Sequence, residues 1–146
     1  MKQEKIRAFF ENYMKDYNRY AQEEATITKA EKYWDPKIRA RAFIKMSDGT
    51  YPIVCNGLDE WKVYLINSHK DITEETTIKE MVIDTKDLKA ALVLDIKKFD
   101  RKTGELKQVF DGLGLYRLSK QKDKLKIREL DFYCGDSGGF THLHEL

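Results

Sequence analysis

The chain is poor in most of the features that mark a specialised protein class. Cysteine occurs only at Cys55 and Cys134, each inside an apolar stretch. Two such residues give no disulfide framework and read as buried free thiols in a reducing compartment. Neither has a neighbouring His to activate it, which argues against a catalytic cysteine. Proline occurs only at Pro36 and Pro52, and no Pro/Gly-rich linker or repeat divides the chain. Long hydrophobic runs are missing, and residues 1–17 hold no apolar core for a signal peptide or a membrane span, so the expected location is the cytoplasm. An excess of one charge is missing too. The 27 basic and 25 acidic residues leave a net charge of +2 and are interleaved, as in Glu74–Glu80 and Lys120–Glu129. A nucleic-acid partner would call for Lys and Arg gathered on one face, so none is expected. There is no Walker loop and no Gly-x-Ser-x-Gly elbow.

What is present describes an ordinary globular chain of 146 residues, 41% apolar and 12% aromatic. That length reads as one domain over 1–146, with 135–146 as a C-terminal tail. His142, His144 and Glu145 lie in that tail. Two His at i, i+2 lack the helical spacing of a zinc motif, so no metal and no cofactor is expected.

Ile6, Phe9, Phe10, Tyr13, Met14, Tyr17, Tyr20 and Ala21 recur at steps of three and four, the stripe of an amphipathic helix. A short helix is expected from Thr28, where Thr28 and Glu31 suit a capping box, to just before Asp35-Pro36. Ile38, Ala40, Ala42 and Ile44 then alternate with Arg39, Arg41 and Phe43, the period of a strand. The turn Ser47–Thr50 returns the chain as Tyr51 to Cys55. Asn56 and Asp59 are candidate caps of a third helix reaching His69, whose simplest role there is that of a partner for the helix dipole. Beyond Thr73 the pattern predicts strands over 76–84, 88–99, 105–119 and 125–134, joined by turns short enough to require antiparallel neighbours. Gly112 and Gly114 are placed to bend or bulge the third of these. The order predicts an α+β fold: a strongly curved antiparallel sheet of about six strands wrapped around three helices, cone-like, with a central pocket.

The segments YWDPKIRARAFIKM, NGLDEWKVYL, DLKAALVLDI, FDRKTGEL and LKIRELDF, taken in this order, resemble the nuclear transport factor 2-like superfamily, the cystatin-like cone fold. The resemblance runs from the first helix to Tyr133. It implies a pocket but no particular reaction, because members include ketosteroid isomerases, polyketide cyclases and non-catalytic proteins. It also implies polar or acid-base residues on the last strand, where Glu129 and Asp131 stand.

Asp95 is an acid within Ala-Ala-Leu-Val-Leu-Asp-Ile. Buried there it would need a raised pKa or a cation, and Arg39 and Arg41 are the candidates. Asp95 and Asp131 are therefore the candidate acid-base residues. The candidate ligand-binding set is Tyr13, Tyr17, Trp34, Arg39, Trp61 and Glu129. The bland alternatives are that both acids face outward in salt bridges and that the rings are core packing. The expected function is the binding of a small, mainly apolar molecule by a homodimer paired through its sheet. The alternative is a cofactor-free isomerase, dehydratase or cyclase.

Overall fold

A stripe of apolar side chains on one long helix needs a sheet to lie against, and the computed structural model supplies it. The structure describes residues 1–22 and 27–134; His142, His144, Glu145 and the rest of the tail lie outside the described residues. Helix α1 (Gln3–Gln22) buries Ile6, Phe10, Tyr13 and Met14. Then follow α2 (Thr28–Glu31), β1 (Trp34–Ile44), β2 (Ile53–Asn56), α3 (Leu58–Ser68), β3 (Ile72–Asp84), β4 (Lys89–Asp100), β5 (Leu106–Gln121) and β6 (Lys124–Cys134). The strands form one open sheet in the order β2-β1-β6-β5-β4-β3. The pairs joined by short turns are antiparallel, as their connections demand. β1 and β6 pair in parallel, because the long path between them sets no such constraint.

Helix ends differ from their expected caps. Helix α2 starts after Ile27 without a side-chain cap, and Glu31 turns its carboxylate to Lys62 Nζ at 2.5 Å instead of closing a capping box. It lasts one turn because β1 already begins at Trp34. Helix α3 is capped by the backbone of Gly57 at φ +102°, a conformation open to glycine, so neither Asn56 nor Asp59 caps it. At the free edge of β3, Asn18 donates to the Thr76 carbonyl at 2.7 Å and accepts its N–H at 2.8 Å. A helix side chain thus takes the place of a seventh strand at that point, which also blunts the edge.

Two bulges decide which side chains face the helices. Lys79 is an extra residue between the pairs Ile78–Leu94 and Glu80–Val93, and Arg128 is extra between Ile127–Leu118 and Glu129–Arg117. Each reverses the alternation of its strand. Ile127 and Leu130 are therefore both buried, while Glu129 and Asp131 pass to the other face. The glycines expected to bend β5 do something else, because pairing runs through Gly112 and Gly114 without a break. A Cβ on Gly112 would lie 2.8 Å from Ile96 Cδ1, and one on Gly114 would lie 2.6 Å from the Tyr116 hydroxyl oxygen. They leave room for large side chains laid over the strand. Among the described residues no helix is long and apolar enough to cross a membrane.

Candidate functional site

Between the inner face of the sheet and helices α1 and α3 lies a cavity enclosing about 40 Å³. Rings make a large part of its wall: Tyr13 and Tyr17 from α1, Trp61 and Tyr64 from α3, and Phe110, Tyr116 and Phe132 from the sheet. Aliphatic surface comes from Met14, Leu65, Leu94, Ile96 and Leu130. That volume holds about three water molecules, and an apolar cavity of ~150 Å³ is known to hold benzene. As it stands the cavity thus admits only a few atoms, and a ring-sized guest requires side chains to move. Met14 and Lys98 are its unbranched, most adaptable lining residues.

A hydrogen-bonded polar group occupies one corner. His69 terminates α3, its N–H bonding back to Leu65 O and Ile66 O, and its imidazole turns inward. Arg101 reaches from the β4–β5 hairpin to the carbonyls of His69 (2.8 Å) and Ile72 (3.2 Å), which pins the loop that carries the ring. His69 Nε2 lies 3.1 Å from Glu74 Oε1, and Nδ1 lies 3.1 Å from the Tyr20 hydroxyl. Thr76 donates its hydroxyl to Glu74 Oε2 at 2.7 Å, and the Tyr17 hydroxyl stands 3.4 Å from Nε2. With one ring proton on Nε2, His69 donates to Glu74 and accepts from Tyr20. With a second proton, Nδ1 donates to the Tyr20 oxygen. Both nitrogens keep a partner in either state.

His69 and Glu74 are 5% and 6% exposed, so this is a hydrogen-bonded imidazole–carboxyl pair set apart from water. Burial pushes the Glu74 carboxyl upward, but the bond and charge of His69, the Thr76 hydroxyl and the Lys98 ammonium outweigh it and hold the group below its usual range. Lys98 is the cross-strand partner of Glu74, with Nζ 5.3 Å from the Phe110 ring centre. Burial lifts the Tyr13 hydroxyl to about 12 even though the Trp34 indole donates to it at 3.2 Å. Tyr17 is likewise held well above its ordinary value, through burial and then the Glu74 charge. Both phenols stay protonated at neutral pH and can donate. Burial takes the Cys134 thiol to about 11, which leaves it a poor nucleophile. Among the described residues no group of His, Cys, Asp and Glu could hold a metal ion.

The sequence-based candidates divide between the two faces. Tyr13, Tyr17 and Trp61 line the cavity, and Trp34 supports it from behind through Tyr13. Asp95, Asp131, Arg39 and Glu129 do not line it, which corrects the expectation that they share a pocket. Ala90, Leu92, Leu94 and Ile96 take the inner face of β4, so Asp95 points outward between Thr77 on β3 and Asp111 on β5. The Arg128 bulge turns Asp131 and Glu129 outward as well. There Arg41 grips Asp131 at 2.7 and 2.8 Å, and Arg39 Nη2 lies 3.5 Å from Asp131 and 3.6 Å from Glu129. The cations of β1 therefore serve Asp131 and not Asp95. His69 and Glu74 were missed. The sequence pattern starts β3 at Thr76, whereas the strand begins at Ile72, and only that extension sets Glu74 on the face of Thr76.

No protein-family model and no curated protein sequence matches this chain. Solved structures do. AclR of Streptomyces galilaeus, described as a candidate hydroxylase, superposes with a TM-score of 0.68 at 12% identity over 99% of this chain and 88% of its own. A nuclear transport factor 2-like protein of unknown function from Shewanella baltica OS155 gives 0.57 at 13% identity over 94% and 99%. A protein with a cystatin-like fold from Methylobium petroleophilum PM1 gives 0.61 at 16% identity over 92% and 78%. The chain has the nuclear transport factor 2-like, cystatin-like fold, and identities this low speak for the fold alone.

Proposed function

We propose that this protein binds a small, mainly apolar molecule in the cavity between α1, α3 and the inner face of the sheet. The observation that carries this reading is a wall of aromatic rings with hydrogen-bonding groups gathered at the His69–Glu74 corner, the usual composition of a small-molecule site. The small volume favours a short chain or a single ring as the guest. Ligand-observed NMR against a set of single-ring and short-chain fragments tests it. Binders that are lost when Ser68, on the cavity wall, is enlarged (Ser68→Trp) support the reading, and a wild-type protein that takes none of them removes it.

A second reading, cofactor-free acid-base catalysis of an isomerisation, dehydration or cyclisation, is favoured by the His69–Glu74 pair. An imidazole that keeps partners in both protonation states, beside two protonated phenols, can accept a proton from a bound molecule and return it. In that case His69→Gln lowers turnover by about 10²–10⁴-fold while leaving affinity nearly intact. Unchanged turnover of a found substrate rejects it.

The proposed macromolecular partner is a second copy of the chain, docked through the outer face. Exposed Val82 and Leu115 lie there beside the alternating charges of Arg39, Arg117, Glu129 and Asp131, a mixture suited to self-complementary contact. Sedimentation as a monomer at micromolar concentration counts against it. Cys55 and Cys134 are not joined in a disulfide, which fits a reducing, cytoplasmic setting.

A further inference from the structure

Lys98 stands on the inner face of β4, next in the alternation after Ala90, Leu92, Leu94 and Ile96. Among the described residues that line the cavity it is the one Lys or Arg. Three observations place its ammonium at the cavity wall. Nζ lies 5.3 Å from the centre of the Phe110 ring, which is itself buried and lines the cavity. The Lys98 charge helps to hold the Glu74 carboxyl low. The same charge opposes the upward push of burial on the thiol of Cys134, another lining residue.

Among the described residues this cation has no acid of its own. Glu74 is its cross-strand partner, but His69 takes Oε1 at 3.1 Å and Thr76 takes Oε2 at 2.7 Å. No ion pair or hydrogen bond from a described residue reaches the Lys98 ammonium, and an aromatic face is a weaker partner than a carboxylate. A half-buried lysine can also lay its stem over a ring and give its head to water. Charge balance argues for more than that. With His69 protonated, the corner holds two cations and one carboxylate, so one negative charge on a guest completes it. A flat carboxylate also suits a narrow space between rings, whereas a doubly charged phosphate would bring one charge too many.

We infer that the cavity takes a small carboxylic acid in its anionic form, whose carboxylate pairs with Lys98 Nζ while its carbons lie among the aromatic rings. The inference rests on the reading that the cavity binds a small, mainly apolar molecule, and it adds the functional group. It also orients the guest. The carboxylate is held on the β4 side, and the carbons are left to the walls that α1 and α3 supply.

The test compares benzoate with nitrobenzene, a neutral molecule of nearly the same flat shape, in titrations followed at the cavity methyl groups by NMR. Benzoate is expected to bind about 10-fold more tightly, equivalent to ~1.4 kcal/mol. Lys98→Met keeps most of the stem and removes the charge, so the preference should fall to about one through loss of benzoate affinity. Lys97→Met, on the opposite face of the same strand, should leave the preference unchanged. Should Lys98→Met fail to fold, the wild-type preference decides the matter, together with its decline in roughly 1 M salt, where the screening length is about 3 Å. Equal binding of the two probes at the cavity methyl groups overturns the inference and leaves the cavity reading standing. An equal fall in both lysine variants does the same. Binding of neither probe overturns both.

Discussion

Two charged clusters on this sheet, one on each face, sit in opposite surroundings. On the inner face Glu74 and His69 are almost wholly removed from water, and each polar atom has a designated partner: Thr76 and His69 for the carboxylate, Glu74 and Tyr20 for the ring. On the outer face Arg39, Arg41, Arg117, Glu129 and Asp131 share contacts in a ladder open to solvent, with several side chains a third to a half exposed. The same chemistry thus has different consequences. A buried charge that loses its partner cannot be rescued by water, whereas an exposed one can. That contrast explains why an anomalous acid in a strand is a poor guide to a site unless its face is known.

The largest effect expected from this contrast is that of His69→Ala. It leaves the Glu74 carboxylate buried without its main partner and should lower stability by about 3–5 kcal/mol in urea unfolding. A loss under about 1 kcal/mol would place the pair on the energetic footing of the outer ladder. Next comes Gly114→Ala, which sets a methyl group against the Tyr116 ring and should cost about 1–3 kcal/mol through overpacking. Unchanged stability there would show that the Tyr116 ring has somewhere else to go.

The acid limb of the stability curve probes the inner pair without removing a ring. Glu74 is held below its ordinary 4.5 in the folded protein, so the unfolded chain takes up the proton first on acidification. Its contribution is fully present above pH 4.5 and is lost as pH falls through the lower folded value. Glu74→Gln should cost about 1–3 kcal/mol at neutral pH and flatten the decline of stability below that point. An acid limb as steep as the wild type's would mean that other carboxylates drive it. The smallest effects belong outside. Asp131→Asn should cost about 1 kcal/mol or less, and Asp95→Asn within about 0.5 kcal/mol, neither altering binding in the cavity.

Much of the fold was legible because it rests on periodicity and connection length. The α1 stripe, the β1–β2 hairpin and the meander from β3 to β6 all follow from local pattern. The parallel β1–β6 pairing was not legible, since no short turn joins those strands. The site was harder to read for a related reason. Strand parity carries a residue to a face only while the register is unbroken, and the extra residue Arg128 defeats it between Ile127 and Glu129. Glu74 escaped notice because Glu74-Glu75-Thr76-Thr77 shows no apolar alternation, although it forms strand in β3. His69 looked like a helix terminator, which its backbone is, and only the tertiary fold turns the ring inward. Tyr13, Tyr17 and Trp61 were legible as apolar stripe residues, because in a cone a residue on the core-facing stripe of a helix also faces the cavity.

Methyl-detected NMR during titration with a single-ring fragment found to bind tests the central claim most directly, because the two faces carry separate sets of reporters. Binding between α1, α3 and the inner face should perturb the methyl groups of Met14, Leu65, Leu94, Ile96 and Leu130 while leaving Val82, Val93, Leu113 and Leu115 nearly unmoved. Perturbation confined to the outer set would contradict the account and move the binding site to the other side of the sheet.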